Sequence, residues 1–196
     1  MSPSRGASLL ELLAVLALAG MAAAVAVPAL AHLRSAGRVA AGARLLAIEL
    51  HAARWKSVTR RVHHGLFFER DGRGWRWREV RDGNGNGVRT AEVRSGVDPT
   101  LGGPYRLEQR IEGVRLGFPA VSALPAIPPG TGRLANLTDP IQFGSSDVVS
   151  FSPAGASSSG TLYLTDGQTL YAVVLFGPTT RVRVWRYDAA GRRWKL

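Results

Sequence analysis

The first fifty positions are apolar in a way the rest of the chain is not. From Leu12 to Ala31 twenty residues pass without a charge, and Glu11 stands at the edge of the run. At about 1.5 Å per residue that is the length a helix needs to cross a bilayer. Beyond it Leu33, Ala36, Ala40, Ala43, Ala47, Leu50 and Arg54 recur at helical spacing, with Leu46 and Ala53 alongside, while Arg34, Arg38 and Arg44 fall largely off that stripe. The pattern predicts one long helix, apolar all round first and amphipathic later, ending near Ser57. The remainder changes to short alternating runs. Strands are expected over 62–69 and 75–80 around Asp71-Gly72, and over 105–111, 114–118, 148–151, 161–165, 169–176 and 181–187. Asp166-Gly167 suits a hairpin turn. The Pro-rich stretch 119–140 reads as a loop or surface excursion. Short strands without intervening helices predict mostly antiparallel sheets, hence an α+β fold.

Composition narrows the chemistry. The chain has no cysteine, which excludes disulfides, thiolate nucleophiles and Cys-based zinc sites. Its net charge is +11, from 25 basic against 14 acidic residues. Only Lys56 and Lys195 are lysine. Such a domain attracts polyanions such as nucleic acid or anionic lipid; the simpler role of the charge is to keep the domain soluble.

Three explanations compete for the N-terminal run: a cleaved secretory signal, a plain anchor and a pilin-type signal anchor. Val25 to Ala31 offers small residues for secretory cleavage, but the run is longer than the usual core. Neither of the first two explains an acidic Glu11 at its edge, where a charge without a partner is costly. The stretch Arg5-Gly6-Ala7-Ser8-Leu9-Leu10-Glu11 resembles the processing site of type IV prepilins. The resemblance implies cleavage between Gly6 and Ala7, methylation of Ala7 by the prepilin peptidase, Glu11 as the fifth mature residue and Pro28 as the twenty-second. Phe is usual in that family where this chain has Ala7. Glu11 would pair with the N-terminal ammonium of a neighbouring subunit, and Pro28 would kink the helix. Each also has a plainer explanation: Glu11 as an acidic helix start that suits the dipole, Pro28 as a loop boundary.

The C-terminal half carries a second resemblance. Phe151-Ser152-Pro153-Ala154-Gly155, Ser159 to Leu164 and Arg181 to Tyr187 are similar to the GspH/FimT-type domain of minor pilins and minor pseudopilins. The two resemblances together imply a pilin-like architecture. Residues 1–6 would be a leader, 7–31 a transmembrane and assembly helix, 32–58 its amphipathic continuation, and 59–196 a periplasmic β-rich domain. The implied function is assembly of a type IV pilus or a type II secretion pseudopilus, at or near the tip. The partners would be other pilin subunits and the prepilin peptidase, with storage in the inner membrane. The alternative is an exported β domain on an uncleaved anchor, acting as a sensor or envelope enzyme.

Two constellations invite ligand chemistry. Arg181, Arg183, Arg186, Arg192, Arg193 and Lys195 lie close together, interleaved with Trp185, Tyr187 and Trp194. In a strand Arg181, Arg183, Trp185 and Tyr187 share one face. Guanidinium forks fit phosphates and rings stack on bases, so DNA is the candidate polyanion; a sheet strand guarded against edge pairing by its charges, with Trp185 partly in the core, is the other explanation. Some GspH/FimT-type members are associated with DNA uptake. Asp82, Asn84 and Asn86 resemble the start of a calcium loop. The twelfth position is Val93, however, with Glu92 one place early, so a Gly/Asn-rich turn fits better. His63 and His64 are adjacent and would point to opposite faces of a strand. No nucleophile elbow, phosphate loop or carboxylate pair stands out. No catalysis, cofactor, resident metal or small-molecule substrate is therefore expected.

Overall fold

A computed structural model describes residues 9–196, and the side chains of all of these except 25 and 27–33. The expected leader 1–6, with Gly6, and the adjoining Ala7 lie outside the described residues, and so does the side chain of Pro28. The chain divides into two compact units, Met1–Gly37 and Arg38–Leu196. Helix α1 (Leu9–Arg60) contributes residues to both.

In the first unit α1 shows its apolar side chains to the surroundings. Leu9, Leu10, Leu12, Leu13, Leu16, Leu18 and Met21 are each more than half exposed. Glu11 sits in the first turn, where a carboxylate meets the positive end of the helix dipole. The helix is continuous through position 28, so no loop boundary falls there. The expectation of a membrane-spanning first half is overturned: among the described residues no helix is long and apolar enough to cross a membrane. The unbroken run of described side chains here, 9–24, extends about 24 Å at ~1.5 Å per residue, against a hydrocarbon core of about 30 Å. It also contains the Glu11 carboxylate.

The second unit is an α+β domain, and every strand pairing in it is antiparallel. One sheet has the order β3 (Thr100–Tyr105), β2 (Gly74–Arg81), β1 (His64–Asp71), β6 (Val148–Phe151). The other runs β10 (Arg193–Lys195), β9 (Arg181–Asp188), β8 (Leu170–Phe176), β7 (Gly160–Thr165), β4 (Arg115–Leu116), with β5 (Ile141–Gln142) also on β7. Two short helices, α2 (Thr90–Ser95) and α3 (Leu107–Arg110), complete it.

The main core lies between α1 and the sheets. Val39, Ala43, Leu46, Leu50 and Ala53 recur every three or four residues and are at most 2% exposed, which is the spacing of one helix face. They meet Leu66, Phe68 and Trp77 of the first sheet and Leu162, Leu164, Val173 and Leu175 of the second. Gly42 permits a close approach: a Cβ there would lie 3.1 Å from both Leu164 and Val114 side chains. The helix continues to Arg60, past the expected Ser57, and stops where Arg61 takes a left-handed φ of 53°.

Three segments depart from the sequence expectation. The strand expected over 105–111 is displaced: β3 ends at Tyr105, and Leu107–Arg110 is a single helical turn that buries Leu107. β3 contains Pro104 and lies at a sheet edge, where a missing N–H is tolerated. Of the strand expected over 114–118 only Arg115 and Leu116 pair, with Thr165 and Leu164. The Pro-rich stretch is irregular, as expected of a loop, but it is not merely a surface excursion. Leu124 is buried, and Phe118, Ile127, Leu134 and Leu137 pack with it on Tyr163, Leu170, Ala172, Trp185 and Trp194, closing a second core on the other face of β7–β10.

Leu50→Ala should cost about 2–5 kcal/mol by opening a cavity under the helix. Ile48→Ala, on the exposed side, should fall within about 0.5 kcal/mol of the parent. Urea unfolding of the two variants checks the contrast.

Candidate functional site

The alternation of β9 sorts the basic C-terminal residues onto different surfaces. Val182 and Val184 face the main core, while Trp185 and Tyr187 face the second one. Arg181 and Arg183 are exposed on the same side of the strand as Trp185, about 7 Å apart along it. Their cross-strand neighbours are Phe176 and Val174. Phe176 is 54% exposed. Neither arginine is in an ion pair among the described residues. This is the part of the predicted set that the fold brings together as open cationic surface.

The other members are placed differently. Arg186 is exposed and points to the opposite face, beside Tyr171 and Lys195 across the ladders. Arg192 sits in the β9–β10 turn with a left-handed φ of 47°. With Arg133, Tyr187, Val121 and Leu124 it lines a hollow of about 840 Å³. Arg193 is exposed opposite Asp188, and Lys195 Nζ pairs with Asp188 Oδ2 at 2.6 Å. The lysine hydrogen bond, followed by the Gly191 N–H, holds the Asp188 carboxyl below its ordinary value. Trp185 and Trp194 are 9% and 6% exposed, and Trp194 Nε1 donates to Pro125 O at 2.9 Å. Their rings fill the second core, so stacking on bases is not something these two side chains offer. What remains at the surface is point charge and guanidinium geometry, which binds phosphate without reading sequence.

The calcium-like segment is a turn held by its own backbone. Asp82 is buried, and its Oδ1 accepts from the N–H groups of Asn84 (3.0 Å) and Gly85 (2.7 Å) while Oδ2 accepts from Gly87 (2.8 Å). Asn84 Oδ1 accepts from Asn86 N, and Asn86 Nδ2 donates to Glu92 Oε1. Asp98, equally buried, takes the N–H groups of Gly83 and Arg89 at 2.9 Å each. Both Asp82 oxygens, Asn84 Oδ1 and Glu92 Oε1 thus already accept protein hydrogen bonds, while Glu92 Oε2 is buried without a partner. Among the described residues no group of three or more acidic, His or Cys side chains could hold a metal ion. Burial raises the Asp82 pKa, but the three N–H bonds lower it further, and the net direction is down.

The sequence places His63 and His64 on opposite faces of a strand without saying which of the two is buried. His64 is fully buried on β1, and neither ring nitrogen has a hydrogen-bond partner. Its Nδ1 lies 3.8 Å from Glu79 Oε1, whose carboxylate is engaged by Lys56 Nζ at 2.7 Å to both oxygens. Burial pushes the His64 pKa down; Glu79 opposes this, and Arg60, Lys56 and Arg81 reinforce it. The only sequence signal was a histidine entering an apolar strand run, Leu66-Phe67-Phe68.

The folded chain rejects a proton that the unfolded imidazole accepts below about pH 6.5. Stability attributable to His64 is therefore complete above that pH and declines as pH falls from it toward the lowered folded value. His64→Leu should flatten this decline, read as the difference in urea midpoint between the two proteins from about pH 7.5 to about 5. Asp82→Ala should cost about 1–3 kcal/mol at neutral pH by leaving three N–H groups short of an acceptor. Comparison of the chain with family models, curated proteins and solved structures returns no match.

Proposed function

We propose that this chain is a minor pilin or pseudopilin of a type IV pilus or type II secretion system, working by assembly into a fibre. The observation that carries this reading is the first part of α1. It presents leucines at 9, 10, 12, 13, 16 and 18 to its surroundings, with the carboxylate of Glu11 among them. So much exposed apolar surface needs a cover. Equivalent helices of neighbouring subunits supply one, and a processed N-terminal ammonium supplies the partner for Glu11. The Gly6–Ala7 site in the sequence agrees with such processing, and an antiparallel β domain on the later half of α1 agrees with the GspH/FimT-type resemblance. The working location is then the cell envelope.

Within this reading Arg181 and Arg183 give the fibre a polyanion contact. DNA is the ligand of choice because two open guanidinium groups on one strand face suit successive phosphates. The chain performs no chemistry itself.

Mass spectrometry of the native protein should find a methylated Ala7 as the first residue, and Glu11→Ala should abolish incorporation into filaments. An intact Met1 together with normal incorporation of the variant overturns the reading in favour of an envelope β domain that keeps its N-terminus. For the ligand, DNA affinity should fall steeply with salt. Changing both Arg181 and Arg183 to Ala should weaken binding of all sequences alike and reduce the slope of log K against log salt by about 2. A parent slope near zero removes DNA from the proposal.

A further inference from the structure

The half of α1 in the second unit has a side that the β domain leaves uncovered. Ile48 is 67% exposed, Trp55 70% and Val58 44%. With His51 they follow one another at intervals of three, four and three residues, the spacing by which one helix presents a seam to another. His51, Arg54, Trp55 and Val58 border a hollow of about 510 Å³. Apart from the terminal Leu196, Trp55 is the most exposed large apolar side chain of the second unit.

The charge beside this seam is one-sided. From residue 38 to 60 the helix carries Arg38, Arg44, Arg54, Lys56 and Arg60 against the single carboxylate of Glu49. Glu49 Oε1 already accepts from Arg110 Nη1 at 2.8 Å, and Lys56 is held by Glu79. Arg44 and Arg54 line up with the seam and its hollow, and neither is in an ion pair among the described residues.

We propose that the Ile48–His51–Trp55–Val58 seam is a docking surface for an amphipathic helix of a different protein, with carboxylates flanking its apolar stripe. The 3-4-3 spacing calls for a helix, and the unpaired Arg44 and Arg54 call for acidic flanks. A second copy of this chain would bring the same cations to the contact, on a protein of net charge +11. The inference goes beyond the fibre reading and does not need Glu11.

The test uses the full chain in mild detergent and two labelled synthetic helices. Both have leucine at the seam positions; one has glutamate flanks and the other lysine flanks. Fluorescence anisotropy should show binding of the glutamate peptide alone. Trp55→Ala should weaken it by about tenfold or more, as for a central aromatic anchor. Arg44→Glu with Arg54→Glu should switch preference to the lysine peptide. These positions are at the surface, so unchanged thermal unfolding shows that the variants fold. Binding of neither peptide, equal binding of both, or binding indifferent to Trp55→Ala overturns the proposal. So does Trp55-dependent self-association in sedimentation, which would make the occupant a second copy. The peptide readout involves neither Glu11 nor filament incorporation, so its failure and failure of the fibre reading are separate results.

Discussion

The packing of one α1 face on two sheets at once is the contact on which the second unit depends. Val39, Ala43, Leu46, Leu50 and Ala53 leave almost no surface exposed, and each sheet buries its inner face only because that helix lies against it. Burying apolar area is worth about 25 cal/mol per Å², so a continuous seam of this kind outweighs any single ion pair at the surface. The polar ties around it set position. Arg110 joins Glu49 on α1 while its guanidinium lies 4.6 Å from the Tyr105 ring centre, fixing α3 and β3 to the helix. Lys56 does the same for β2 through Glu79.

That arrangement explains which charges are left over. Cations next to the core acquire partners: Arg76 and Arg78 with Glu69, Arg106 with Asp71, Lys56 with Glu79. Arg181, Arg183, Arg44 and Arg54 are in no ion pair among the described residues. A surface ion pair contributes little to stability. Cations without one keep their field for a ligand.

The parts of the fold visible in the sequence are those with a regular period. The later half of α1 shows in its 3.6-residue stripe, and β1–β2 and β7–β8 show in alternation around Asp71-Gly72 and Asp166-Gly167. β3 was hidden because Gly102, Gly103 and Pro104 look like a loop; it is held by backbone pairing with β2 and buries no side chain. The cover formed by 118–137 was hidden for a related reason. Leu124, Ile127, Leu134 and Leu137 sit on irregular backbone, so their burial has no period to detect. At the basic C-terminus the facing of β9 was legible and a core position for Trp185 was one of two alternatives, but the burial of Trp194 was not legible, since it depends on that cover. For His63 and His64 the alternation of faces was legible, but the burial of His64 depends on what packs against β1, which the local sequence does not state.

The bond from Trp194 to Pro125 spans 69 positions. Closing so long a loop is entropically slow relative to forming a hairpin. During synthesis the 118–137 cover, β7 and β8 all emerge before β10, so the cover can meet the sheet before Trp194 is there to tie it down. The tryptophan is therefore a late latch on a lid laid down much earlier in the chain.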